Sequence, residues 1–163
     1  MTALTVAGIG SHCAGDDAVG LALVAAMPPL PGVVYEQWAD TDALDLAHRL
    51  LQSPAPVLAV DCAEMGLAPG EWRCIRLHPV AEARLRLRSR SVSTHGLGLA
   101  EALAIAEQLG LATPVQVFGI QPYRLAIGGL SEAMQACLPR LQQALADETT
   151  KLIQVKQDCA QEA

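Results

Sequence analysis

The chain has 163 residues, 52% of them hydrophobic but only 3% aromatic, and a formal net charge of −6 at pH 7. That length fits one domain with a real core, and the acidic balance without a Lys/Arg block argues against a nucleic-acid track. An uninterrupted apolar run of about 18 residues is lacking, so no membrane insertion is expected; the N-terminal apolar segment has no basic flank, and five cysteines without a C-x-x-C pair fit reduced thiols in a cytoplasmic protein.

Leu4–Gly8 reads as a buried strand, followed by Gly10-Ser11-His12-Cys13-Ala14-Gly15-Asp16-Asp17. The two glycines have the spacing of a phosphate-binding loop, G-x-x-x-x-G-K-[ST], but Asp-Asp stands where Lys and a hydroxyl residue belong. Backbone N–H groups at a helix N-terminus attract phosphate; two carboxylates there repel it, so the loop favours cations. Asp17 to Met27 reads as a helix, capped by one of the aspartates and stopped by Pro28-Pro29. Val33–Gln37 reads as a second strand. Thr41–Leu51 reads as a helix with Leu44, Ala47, Leu50 and Leu51 on one face. Val57–Val60 is a third, fully apolar strand ending at Asp61, and Glu71–Leu77 carries a weaker strand pattern.

Arg84, Arg86, Arg88 and Arg90 alternate through a stretch poor in apolar residues that leads to His95. It reads either as a solvated loop or edge strand whose charges discourage pairing, or as a basic lip for an acidic or peptide partner. His95 to Leu109 carries a helical stripe at 99, 103, 106 and 109, ended by Gly110, and Val115–Ile120 is another strand. Leu130, Met134, Cys137, Leu138, Leu141 and Leu145 keep helical spacing behind Ser131 as N-cap. Beyond Asp147 the chain is polar and unpatterned. The expected organisation is one domain over residues 1–147 and a loose tail over 148–163. Alternating strands and helices imply an α/β fold, a three-layer α/β/α sandwich around a mostly parallel sheet.

Ligands gather outside the carboxyl ends of the strands in such sheets, where the chain diverges. Asp17 follows the first strand, Asp61 ends the third and His95 opens the helix after the Arg-rich stretch. Two carboxylates and an imidazole suit a borderline divalent metal such as zinc or nickel, with coordination positions left open. Each residue also has a plainer reading: helix capping for Asp16 and Asp17, a turn acid for Asp61, and a first-turn polar residue for His95. His12 and Cys13, adjacent in sequence, read as a loop histidine beside a packed cysteine rather than a catalytic couple. Cys62 reads as a small core residue, and His48 and His78 as surface residues.

The runs Gly8-Ile9-Gly10, Gly15-Asp16-Asp17-Ala18-Val19-Gly20, Val60-Asp61-Cys62-Ala63 with Gly66 and Pro69-Gly70, Ser93-Thr94-His95-Gly96-Leu97-Gly98-Leu99, and Gly119-Ile120-Gln121-Pro122 with Gly128-Gly129-Leu130-Ser131 occur in this order. Together they resemble the maturation endopeptidases of nickel–iron hydrogenases over residues 4–145. The resemblance implies proteolytic removal of a C-terminal extension from the hydrogenase large-subunit precursor after nickel insertion. It implies an α/β/α sandwich and places the metal-contacting and catalytic residues on Asp17, Asp61 and His95, with nickel arriving in the substrate. Two departures stand out. Ser11 replaces the usual Asn, and Ala39-Asp40-Thr41-Asp42-Ala43 replaces a glycine-rich G-G-T-x-G stretch, putting extra carboxylates near the implied site. A stoichiometric encounter with the precursor suits a monomer. Two other functions are open to the sequence: a non-catalytic metal-sensing checkpoint module for the same subunit, and a dinucleotide-binding module. Against the last, the third glycine of G-x-G-x-x-G falls on Cys13, and Asp16-Asp17 opposes a pyrophosphate.

Overall fold

The computed structural model describes residues 1–79 and 98–161. Strand β1 (Leu4–Gly10) leads through a single 3-10 turn (Gly15–Ala18) into helix α1 (Val19–Ala26). There follow β2 (Val33–Ala39), α2 (Ala43–Gln52), β3 (Val57–Cys62), β4 (Trp72–His78), α3 (Leu99–Gln108), β5 (Val115–Ile120) and α4 (Glu132–Gln161). The sheet order is β2-β1-β3-β5-β4. The first four strands run parallel, and β4 closes one edge antiparallel to β5. Trp72 of that edge strand stacks on Phe118 of β5, with ring centroids 4.7 Å apart. The expected single α/β/α sandwich with a mostly parallel sheet is what the chain forms.

The central strands are apolar on both faces because helices cover both. Along β3, Val57 and Ala59 pack with Leu46, Ala47 and Leu50 of α2 and with Leu99, Leu103 and Ala106 of α3. The alternate positions Leu58, Val60 and Cys62 pack with Val19, Leu23 and Val24 of α1 and with Met134, Leu141 and Leu145 of α4. This period of two divides the core into two layers, one on each side of the sheet. Gly20 lets α1 lie directly on the sheet: a Cβ there would collide with the Val60 carbonyl oxygen. Among the described residues no helix is long and apolar enough to cross a membrane.

Several boundaries move from their sequence-based positions. Strand β3 runs on through Asp61 to Cys62, so Asp61 is a strand residue and not the turn that follows one. Leu44 is exposed on α2; the buried face is Leu46, Ala47 and Leu50, which the helix turns inward behind an Asp42 N-cap. Helix α3 begins at Leu99, where the Glu101 carboxylate accepts the Gly98 N–H at 2.9 Å, and Leu109 lies exposed at its C-cap. Ser131 does cap α4, its hydroxyl accepting the Met134 N–H at 3.2 Å. That helix does not give way to a loose tail at Asp147. It continues to Gln161, with Thr149 fully buried and Leu152 packed on the core. The Arg84–Arg90 stretch and His95 lie outside the described residues.

Candidate active site

The chain steps from β1 outward to β2 and then returns to place β3 on the other side of β1. Strand order reverses between β1 and β3, which makes the carboxyl ends of those strands the natural ligand crevice of this sheet. Asp16 and Asp17 sit in the 3-10 turn after β1, and Asp61 lies at the end of β3. All three carboxylates are withdrawn from solvent, with exposures of 0%, 2% and 5%. Three buried acids at one edge of a sheet are unusual, because a carboxylate leaves water only at a cost unless something compensates it.

Asp16 is compensated by hydrogen bonds. Its Oδ2 accepts the N–H groups of Tyr123 and Arg124, both at 2.9 Å, and the Ser131 hydroxyl at 3.1 Å. Its Oδ1 accepts the Ser131 N–H at 2.8 Å. The side chain caps neither the 3-10 turn nor α1, contrary to the helix-starting role its position suggests. It fastens that turn to segment 121–131, which leaves the sheet at the end of β5. The Ser131 hydroxyl serves both sides, donating to Asp16 while capping α4.

Asp17 is oriented from the preceding loop. Its Oδ2 accepts the Ser11 N–H at 2.8 Å, so Ser11 contributes through its backbone. Gly10, at φ 147, has no room for a side chain, because a Cβ there would strike the Asp17 carbonyl oxygen. The strand-to-turn passage that presents Asp17 therefore requires glycine at this position.

Asp61 is the contrasting case. Burial drives its carboxyl well above the usual carboxylate range, the charge of Asp17 pushes in the same direction, and a backbone hydrogen bond from Cys62 only partly opposes them. The same surroundings raise the Cys62 thiol, by burial first and by the Asp61 charge second. Cys62 is thus a neutral core residue, as expected. Cys13, by contrast, is exposed and not packed.

Gln121 is a site residue that residue chemistry alone did not single out. It is 4% exposed, and its Oε1 accepts the N–H groups of Met65 and Leu67 at 2.8 and 3.3 Å, while its Nε2 donates to Glu64 at 2.7 Å. These bonds hold the loop that follows Asp61. Its signals in the sequence are its place just after a strand and its membership of the Gly119-Ile120-Gln121-Pro122 run. The additional aspartates of the variant loop have ordinary duties. Asp42 accepts the Asp45 N–H at 2.9 Å as N-cap of α2, and Asp40 donates its own N–H to Gly10 O at 2.9 Å at the rim. His78, half-buried, contacts Glu107 at 3.2 Å away from this edge.

The structure therefore brings two of the three expected residues, Asp17 and Asp61, to one buried edge close enough to repel. His95 is outside the described residues, and among those described no group of three metal-ligating side chains forms. A pair of buried acids that repel one another is an attractive site for a divalent cation and for a proton.

A family model described as hydrogenase maturation protease, HycI, matches residues 39–148, a span that includes Asp61 and His95 and begins beyond the Asp16–Asp17 turn. No curated protein sequence matches the chain significantly. Among solved structures, the hydrogenase maturating endopeptidase HybD from Escherichia coli superposes with a TM-score of 0.69 at 21% identity, over 92% of this chain and 94% of that one. The [NiFe] hydrogenase maturation protease HycI from Thermococcus kodakarensis gives a TM-score of 0.64 at 24% identity, over 90% and 91%. At these identities the structural likeness speaks for the fold, and the family model speaks for the kind of protein. The chain belongs to the hydrogenase maturation protease family and is a peptidase by that membership.

Proposed function

We propose that this protein is the endopeptidase that removes the C-terminal extension of a nickel-loaded [NiFe]-hydrogenase large-subunit precursor, with Asp17, Asp61 and His95 contacting the nickel. The observation that carries this reading is the Asp17–Asp61 pair, buried and mutually repelling at the switch point of the sheet. Such a pair gains most from a partner that brings positive charge. In this reading the nickel is part of the substrate: it arrives on the precursor, and the two carboxylates, with the imidazole of His95, engage the coordination positions the precursor leaves open. Recognition of the metal then places the C-terminal segment against the same edge, so that cleavage depends on nickel loading. The reaction is the addition of water across one peptide bond, yielding a new carboxylate and a free amine. A carbonyl or water polarised beside the cation is the electrophile or nucleophile, and a neighbouring carboxylate takes up the proton.

Incubation of purified protein with nickel-containing precursor is expected to shorten that precursor, as measured by intact mass. Asp17→Asn and His95→Ala are each expected to stop the shortening while the melting transition is retained. Cleavage of nickel-free precursor at the same rate, or full activity in the double variant, would overturn this assignment.

A further inference from the structure

Eight large hydrophobic side chains are exposed among the described residues, and three of them, Tyr123, Leu125 and Ile127, alternate along one short segment. Isolated exposed apolar residues need no explanation, but a cluster of large ones beside a functional edge marks a binding surface. Ile127 is 98% exposed. The backbone beneath these side chains is fastened at several points. Asp16 takes the N–H groups of Tyr123 and Arg124, and its own N–H donates to the Arg124 carbonyl at 3.0 Å. Farther along, the Gly128 N–H donates to Cys13 O and the Gly15 N–H to Gly128 O, each at 3.0 Å, forming a parallel bridge between Ala14 and Gly128. The two segments lie so close that a Cβ on Gly15 would strike the Arg124 and Ala126 backbone. The fold thus holds the backbone that carries these exposed apolar side chains in place beside the turn that carries Asp17, with the Tyr123 hydroxyl 3.4 Å from Cys137 Sγ.

We propose that Tyr123, Leu125 and Ile127 form the docking ridge for an apolar segment of the hydrogenase precursor. This rests on the processing function proposed above. The carboxylate edge gains charge compensation from a cation but offers a polypeptide little apolar contact; the adjoining ridge offers that contact. Because its backbone is already ordered, docking does not have to immobilise a loose loop, and the exposed side chains gain by burial against the incoming chain. The ridge is continuous with the edge through the Gly15–Gly128 and Asp16–Arg124 bonds, so a segment seated on it lies beside Asp17.

The test uses steady-state processing of nickel-loaded precursor by the full chain, with the double variant Leu125→Asp/Ile127→Asp. Both side chains are exposed, so the melting temperature is expected to stay at the wild-type value. The KM for precursor is expected to rise about tenfold or more, the size of effect that losing anchor residues at an interface produces. Leu109→Asp, at another exposed leucine, the C-cap of α3, is expected to process like wild type. An unchanged KM in the double variant, with wild type cleaving normally, overturns the docking ridge and leaves the processing function standing. Wild type that does not shorten the precursor overturns both. A wild-type dimer in light scattering that the double variant dissolves, with KM unchanged, overturns the proposal by assigning the ridge to a second copy of this chain.

Discussion

Asp16 and Asp61 sit at the same edge of the sheet, equally hidden from solvent, and their surroundings do opposite things. Asp16 is surrounded by donors: three backbone N–H groups and one hydroxyl point at its two oxygens. Asp61 faces the charge of Asp17 and, among the described residues, has one backbone hydrogen bond, from Cys62, to soften its burial. A buried carboxylate whose oxygens are all satisfied is a fastener, because breaking it exposes several donors at once. One that is desolvated and repelled is a liability to the fold, retained where a cation or a proton is to be received. The comparison separates structure from function between two aspartates that look alike on composition and burial alone.

The largest expected effect follows from removing the carboxylate that is desolvated and repelled by its neighbour. Asp61→Asn is expected to reduce precursor processing by about a thousandfold or more, the scale on which loss of a central catalytic group is felt. The same substitution is expected to stabilise the protein at neutral pH by about 1–2 kcal/mol, a rise of a few degrees in melting temperature. The pH dependence has a definite sign. Because the folded-state pKa of Asp61 is raised, the folded protein holds this proton over a range where the unfolded chain has released it. The stability associated with protonated Asp61 is complete below the unfolded value of about 3.9 and is lost as pH climbs through the folded value. Urea denaturation of both proteins from pH 4 to pH 7 should therefore show the advantage of Asp61→Asn growing with pH. An advantage that shrinks toward neutrality contradicts the account.

Asp16→Ala tests the other half of the comparison and should move stability in the opposite direction. It leaves the N–H groups of Tyr123, Arg124 and Ser131 without their acceptor and cuts the tie between the Asp17 turn and segment 121–131. Removing the partner of several charge-assisted hydrogen bonds is expected to cost about 3–5 kcal/mol. The loss should appear as a lower urea midpoint and as faster amide exchange at Tyr123 and Arg124. An unfolding free energy within about 1 kcal/mol of wild type would show that Asp16 is not the fastener the hydrogen bonds describe.

What the sequence made legible divides along similar lines. The strands β1, β3 and β5 were recognisable because burial on both faces leaves unbroken apolar runs, and Asp17 and Asp61 stood out as acids following such runs. Signals spread over distance were not legible. The partners of Asp16 lie 107 to 115 residues downstream, so its adjacent turn suggested helix capping instead. Leu44 keeps a helical spacing with Ala47 and Leu46 keeps one with Leu50, and packing against the sheet and α3 is what selects Leu46 for the buried face. The end of α4 was hidden because Glu148, Thr149, Thr150 and Lys151 form no apolar stripe. The helix persists there through tertiary contact, with Thr149 buried and Leu152 packed on the core, while the Thr149 hydroxyl donates within the helix to Leu145 O at 2.7 Å.

The smallest effect sharpens the comparison most, because it asks whether the fastener is one device or two. The Ser131 hydroxyl accepts the Met134 N–H and donates to Asp16, joining the start of α4 to the turn that carries Asp17. As a helix cap alone, its loss in Ser131→Ala would cost about 1 kcal/mol, independently of what stands at position 16. As a bridge, its loss also weakens the Asp16 bond, and the total becomes about 2 kcal/mol. A double-mutant cycle with Asp16→Ala distinguishes the cases. The geometry requires a coupling energy of about 1 kcal/mol, because once Asp16 is gone the hydroxyl has only its capping role to lose. Additivity within about 0.3 kcal/mol would mean that the cap and the fastener share an atom without sharing free energy.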